Sequence, residues 1–192
     1  PSFKGVSEFS MTGKKEINPY TLVSRIFTSK VMPTTESIAA VDFVDYILSQ
    51  RLLNQIREKR GGTYTIRFNS TVSVREKGRS ESEITFKTRP DLYRVLVGDL
   101  DDIIAEFNAE GPTEKELEEA RTWLIKNNSE SKAKRSESMS HRNSQVMNYI
   151  RNGIDPNTDW EAAYKKVSAE DVRKAAAKLT GRNSLTVIYT EE

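Results

Sequence analysis

The sequence predicts an α+β layer sandwich, an antiparallel sheet with helices packed on one face. Three observations carry that prediction. A long apolar stripe at helical spacing fills residues 35–57; directly after Gly61-Gly62 the period changes to two; and the second half is mostly helical before it closes in one β-branched strand.

Taken in order, Ser7 to Thr12 reads as a short edge strand, followed by a turn at Gly13-Lys14-Lys15. Tyr20 to Thr28 is β-branched and aromatic enough for a second strand. Pro33-Thr34-Thr35-Glu36 then starts a helix, with a hydroxyl able to cap and an acid in the first turn. Val41, Val44, Leu48, Leu52 and Ile56 form its inner stripe, widened by Ala40, Phe43 and Ile47. Arg57, Lys59 and Arg60 suit the helix C-terminus, and Gly61-Gly62 ends it.

Tyr64, Ile66, Phe68, Val72 and Val74 then alternate with Thr65, Arg67, Asn69, Thr71, Ser73 and Arg75, as in a half-buried strand. Lys77 to Ser80 turns the chain, and Glu83 to Lys87 returns to complete a hairpin. Arg89-Pro90-Asp91 opens a helix with Leu92, Leu96, Leu100, Ile103 and Phe107 inward, broken at Gly111-Pro112. Thr113 and Glu116 form a capping-box pattern ahead of Leu117, Ala120 and Leu124. A polar stretch from Asn127 to Asn143 leads into Val146, Met147 and Ile150, stopped by Gly153 and Asp155-Pro156. A short helix over Asp159–Tyr164, a capped helix from Ser168 with Val172, Ala175, Ala176 and Leu179 inward, and a strand over Leu185–Tyr189 complete the chain. No repeat or linker interrupts it, so residues 1–192 read as a single domain.

Composition narrows the function classes. The chain has no cysteine, which removes disulfides and thiolate metal sites, and one histidine, His141, which rules out a histidine-rich metal centre built from this chain alone. Thirty basic and 28 acidic side chains give a net charge of +2, too little for strong attraction to nucleic acid or anionic lipid. Apolar runs are too short to span a bilayer, and no signal peptide is visible. Pro1 in place of Met points to a processed or excised chain, part of a larger protein.

Chemistry concentrates at Arg57-Glu58-Lys59-Arg60-Gly61-Gly62-Thr63-Tyr64, where a permanent cation ends a helix and a phenol opens the next strand. Such a pair can donate hydrogen bonds to one carbonyl or a developing oxyanion. Spacing alone leaves a second reading open, in which Arg57 answers the helix dipole and Tyr64 joins the apolar face of its strand.

Leu52-Leu53, Ile56-Arg57-Glu58-Lys59 and Gly62-Thr63-Tyr64 resemble the signature of the non-catalytic, C-terminal-type domain of insulinase/pitrilysin-family zinc metallopeptidases. Gly111 to Leu117, Ser168 to Val172 and the closing strand are similar to later parts of the same domain, so the resemblance runs from about Tyr20 to Tyr189. It implies a mitochondrial-processing-peptidase-like metallohydrolase domain that serves as the substrate-binding half of a peptide-hydrolysing enzyme. Arg57 and Tyr64 match the arginine and tyrosine that reach into the zinc site from the opposite half and hold the substrate backbone near the scissile carbonyl. The zinc itself, on the resemblance, belongs to a His-x-x-Glu-His catalytic domain in the same chain or a second subunit. Bacterial relatives of this style imply the periplasm. The departure is the helix over residues 35–57, which contains no histidine; Ile38-Ala39-Ala40-Val41-Asp42 reads as packing material there. On that ground the chain alone is expected to hold no metal and to hydrolyse nothing. A catalytically inactive scaffold or assembly domain is the alternative.

The remaining polar features have plain readings. His141 reads as a solvent-exposed histidine, and Asp101 and Asp102 as the wet face of a helix, without the glycine turn of a Ca²⁺ loop. The charges from Lys126 to Arg142 lack interleaved aromatics and read as a solvated helix surface, while Trp123 and Trp160 read as core or inter-helix anchors.

Overall fold

Alternation along the strands settles which face of the sheet is covered. The computed structural model describes residues 4–14, 18–58, 61, 63–181 and 183–191, with backbone alone at 58, 64, 135 and 136. Strands β1 (Val6–Gly13), β2 (Thr21–Lys30), β3 (Thr63–Ser73), β4 (Arg79–Thr88) and β5 (Ser184–Glu191) form one sheet in the order β1-β5-β2-β4-β3. β2 runs antiparallel to β4 and β5, and β3 antiparallel to β4. β1 is parallel to β5, so the sheet is mixed rather than wholly antiparallel. The inner face carries Val23 and Phe27 of β2, Ile66 and Phe68 of β3, Ile84 and Phe86 of β4 and Ile188 of β5, all buried. Helices cover that face, as expected of the α+β layering.

The helices are α1 (Thr35–Leu52), α2 (Tyr93–Glu110), α3 (Glu114–Glu137), α4 (Met139–Asn152), α5 (Trp160–Lys166) and α6 (Ala169–Leu179). Thr34 caps α1, its Oγ1 accepting the Ser37 N–H at 3.2 Å. α1 packs against β3, α3, α5 and α6 at once, and is apolar on most of its circumference for that reason. Phe43 of α1 meets Phe68, Phe86 and Phe107 in the same core, each at most 2% exposed. Burying one such ring contributes roughly 1.5–3 kcal/mol.

The end of α1 departs from a simple stop. The chain widens into a π-helical turn, Leu53–Glu58, in which Ile56 remains fully buried and Arg57 exposed. Gly61 then takes φ +60° and returns its N–H to the Arg57 carbonyl at 2.8 Å, the left-handed helix ending that glycine favours. Lys59, Arg60 and Gly62 lie outside the described residues. In the β3–β4 turn, Gly78 has φ +81° and sits so close to the Val31 carbonyl that a Cβ would lie 1.8 Å from its oxygen.

The capping box at Thr113 and Glu116 is present. α3 continues beyond its apolar stripe through the charge-rich stretch, and Ser138 both ends it and caps α4. Trp123 is 46% exposed rather than core, lying against Tyr46 of α1 with ring centroids 5.0 Å apart. His141 is half-buried rather than fully exposed, its Nε2 3.1 Å from Ser131 Oγ across the α3–α4 angle. Asp101 does not merely face water: it pairs with Arg25, which is nearly buried on the inner face of β2 and also donates to Thr186 Oγ1 at 3.0 Å.

Candidate functional site

The Arg57–Tyr64 corner is made by a helix end, a glycine turn and a strand irregularity. Thr63 pairs with Thr88 and Ile66 with Phe86, so Tyr64 and Thr65 together stand opposite Lys87 in a β-bulge. Thr63, buried, takes the inner position at the strand start, and its Oγ1 donates to the Lys87 carbonyl at 2.8 Å. Simple alternation is therefore interrupted between Thr63 and Ile66. The side chain of Tyr64 lies outside the described residues. Facing the bulge, Lys87 places its Nζ 3.3 Å from the centroid of the Tyr20 ring.

Two residues before the π-helical segment, Arg51 clamps the end of α1. Its Nε and Nη2 donate to the two Glu116 carboxylate oxygens at 2.7 and 2.8 Å, and Nη2 donates to the Gly111 carbonyl at 3.1 Å. Its guanidinium also lies 4.8 Å from the centroid of Phe107. Burial pushes the Glu116 carboxyl up, but hydrogen bonds from Arg51 and Thr113 outweigh it and hold the group below the ordinary range. The α2–α3 junction is thereby tied to the helix end that carries Arg57.

A second polar feature escaped the sequence reading of α1, in which Ile38 to Asp42 is packing material. Asp42, Asp45 and Ser49 recur at steps of three and four, a polar stripe on an otherwise apolar helix. Among the described residues β3 has a ladder partner only in β4, which leaves alternate backbone groups on its other side. There Ser49 Oγ accepts the Phe68 N–H and donates to the Phe68 carbonyl, both at 3.0 Å, and Asp45 Oδ2 accepts the Ser70 N–H at 2.9 Å. The stripe covers the open edge of β3. Asp42 Oδ2 accepts the Tyr164 hydroxyl at 2.7 Å. The signal was in the sequence, as a three-four spacing of polar residues inside the most apolar helix.

Burial pushes the Asp42 carboxyl up to about 6, against the pull of the Tyr164 hydroxyl. Burial and, to a smaller degree, the Asp42 charge push Asp45 up to about 7, against the Ser70 hydrogen bonds. Both groups hold protons more tightly in the folded chain than in the unfolded one. Their stabilising contribution is therefore complete below about pH 4 and is lost as pH rises through 6 and 7. One pKa unit is about 1.4 kcal/mol, so the loss attributable to Asp45 is on the order of a few kcal/mol. Urea unfolding at acid and at neutral pH checks this. Asp45→Asn is expected to flatten the decline by that amount, and parallel profiles for wild type and variant would refute it.

With this geometry in place, comparison with known proteins is informative. Residues 9–124, more than half of the chain, match the family described as peptidase M16 inactive domain. The chain belongs to that family. It is thus a non-catalytic domain of the insulinase type, as the resemblance implied. No curated protein sequence matches the chain. Among solved structures, the periplasmic protease PqqL from Escherichia coli is similar at TM-score 0.76 and 19% identity, covering 97% of this chain and 21% of that one. A protease from Helicobacter pylori gives TM-score 0.78 at 14% identity, with 98% and 45% covered. A peptidase M16 inactive domain from Pseudomonas fluorescens gives 0.73 at 20%, with 98% and 44% covered. The chain spans less than half the length of each, and at these identities the likeness is one of fold.

For an M16 inactive domain, the donors present here do not fit zinc. α1 offers Asp42 and Asp45 and no histidine, and His141 sits on α4 bonded to Ser131. Among the described residues, no group of three or more histidine, cysteine, aspartate or glutamate side chains could hold a metal ion. Nor is any helix among them long and apolar enough to cross a membrane.

Proposed function

We propose that this M16 inactive domain is the substrate-binding half of a zinc metalloendopeptidase, working opposite a His-x-x-Glu-His domain in the same polypeptide or a second subunit. The observation that carries the reading is the corner itself. An exposed arginine ends a π-helical turn, and a short glycine-containing loop leads from it to a bulged strand start holding Tyr64. π-turns and bulges both concentrate at functional sites, where each changes the aim of a side chain without unravelling its element.

In this reading Arg57 and Tyr64 donate to the backbone carbonyls of an extended peptide, Arg57 with a fixed fork of N–H groups and Tyr64 with one O–H. Buried Ile56 and Leu52 anchor the helix end that carries Arg57, which limits the backbone ordering cost of binding. Zinc supplies Lewis-acid and water-activating chemistry in the partner domain. This chain's part is to orient and to neutralise developing charge.

Titrating an extended, uncharged peptide into the 192-residue chain tests the reading. Tyr64→Phe is expected to weaken binding by roughly three- to tenfold, the value of one hydrogen bond. Peptide affinity indifferent to Tyr64, or none at all, would favour the inactive scaffold instead.

A further inference from the structure

Between α1, β3 and α3 lies a cavity of about 410 Å³, separate from the Arg57–Tyr64 corner. Asp42, Asp45, Tyr46, Arg67, Trp123 and Asn127 are among the residues that line it. Asp45 is half-satisfied. Oδ2 accepts the Ser70 N–H, whereas Oδ1 is buried and meets no hydrogen-bond donor among the described residues. A buried carboxylate oxygen without a donor is costly, and such groups call for a partner. The lining is partly aromatic, with Trp123 left 46% exposed although it is large and apolar.

We propose that this cavity binds an organic cation, a primary ammonium or guanidinium group on an alkyl stem. The charged head would sit against the Asp45 carboxyl, a small rotation of which turns Oδ1 to the cavity, and the stem would lie along the Tyr46–Trp123 pair, whose ring faces attract a cation and cover its methylenes. A metal ion suits the site poorly, because among the described residues no third carboxylate, histidine or cysteine joins the two carboxylates. Above about pH 7, where Asp45 is ionised, a neutral ligand would leave its charge unanswered. The inference does not rest on the role given to Arg57 and Tyr64.

Charge around the cavity determines its pH response. α1 contributes Asp42, Asp45 and Tyr46, β3 contributes Arg67, and α5 contributes Tyr164, whose hydroxyl burial holds well above its ordinary value. From α3 come Trp123, Leu124 and Asn127, none of them charged. Arg67 is exposed and offsets one negative charge, so attraction for a cation depends on both carboxyls being ionised. Binding is therefore expected to strengthen as pH rises through about 7, the range in which Asp45 loses its proton.

Isothermal titration of n-butylammonium and n-butylguanidinium chlorides into the 192-residue chain tests this, with n-butanol as the uncharged control. Saturable one-to-one binding of the cations is expected, about tenfold or more weaker at about pH 5.5 than at about pH 8, and absent for butanol. Asp45→Asn, whose amide can still accept from Ser70, is expected to lower cation affinity about tenfold. Trp123→Leu supplies an independent arm, expected to weaken binding about threefold through loss of the ring face. A short peptide with one lysine, beside its Nε-acetylated form, separates the sources. Tighter binding of the lysine peptide than of butylammonium assigns the ligand to a polypeptide side chain, and equal binding assigns it to a free amine. No saturable cation binding, equal binding of butanol, or a wild-type affinity in Asp45→Asn would overturn the proposal.

Discussion

Arg57→Ala, introduced into the complete peptidase, is expected to lower kcat/KM by roughly 10²–10³-fold, the usual effect of deleting one donor to a developing oxyanion. Zinc content is expected to stay unchanged, because no zinc ligand comes from this helix. The fold should tolerate the change. Arg57 is exposed, the buried residue beside it is Ile56, and the hydrogen bond that ends the helix uses the Arg57 backbone carbonyl rather than its side chain. Stability should therefore move by no more than about 0.5 kcal/mol. Arg57→Lys keeps the charge and loses the planar fork, so it should recover only part of the rate. Turnover, metal analysis and thermal unfolding together decide the matter. Near-wild-type turnover in Arg57→Ala would remove the substrate-binding role.

Arg51→Ala is expected to have the largest effect on stability. It deletes a bidentate pair with Glu116, a bond to the Gly111 carbonyl and a cation placed over Phe107. The Arg51 side chain is only 11% exposed and that of Glu116 26%, so the abandoned carboxylate is partly cut off from water. Removing one member of a fully buried pair costs about 3–5 kcal/mol, and the residual exposure of Glu116 brings the expectation to about 2–4 kcal/mol. Arg51→Lys should recover little, since one ammonium cannot reproduce the two parallel bonds. Urea unfolding should show a lowered midpoint at unchanged slope. A change below about 0.5 kcal/mol would mean that the network is a surface decoration.

Much of the architecture was legible because it follows from local periodicity. The apolar stripe of α1 and the two capping boxes at Thr113 and Ser168 depend on neighbours three and four residues away. Other features depend on residues distant in sequence. The parallel pairing of β1 with β5 joins residues about 180 positions apart, and no local pattern reports strand direction. The exposure of Trp123 depends on where α3 crosses Tyr46 of α1.

The site divides in the same way. Sequence by itself determined that a cation and a phenol flank a glycine turn, that α1 carries no histidine, and that the domain is of the insulinase type without its catalytic ligands. These are facts of residue identity and order, which folding cannot alter. Only the tertiary structure decided that α1 loosens into a π-helical turn beneath Arg57 and that a bulge interrupts β3 between Thr63 and Ile66. It also decided that Asp45, three residues beyond the Ile38–Asp42 packing run, closes the open edge of β3 while leaving one carboxylate oxygen without a donor among the described residues. The physical reason is that burial, hydrogen-bond satisfaction and proton affinity are set by the groups that surround a side chain, and most of those groups come from elsewhere in the chain.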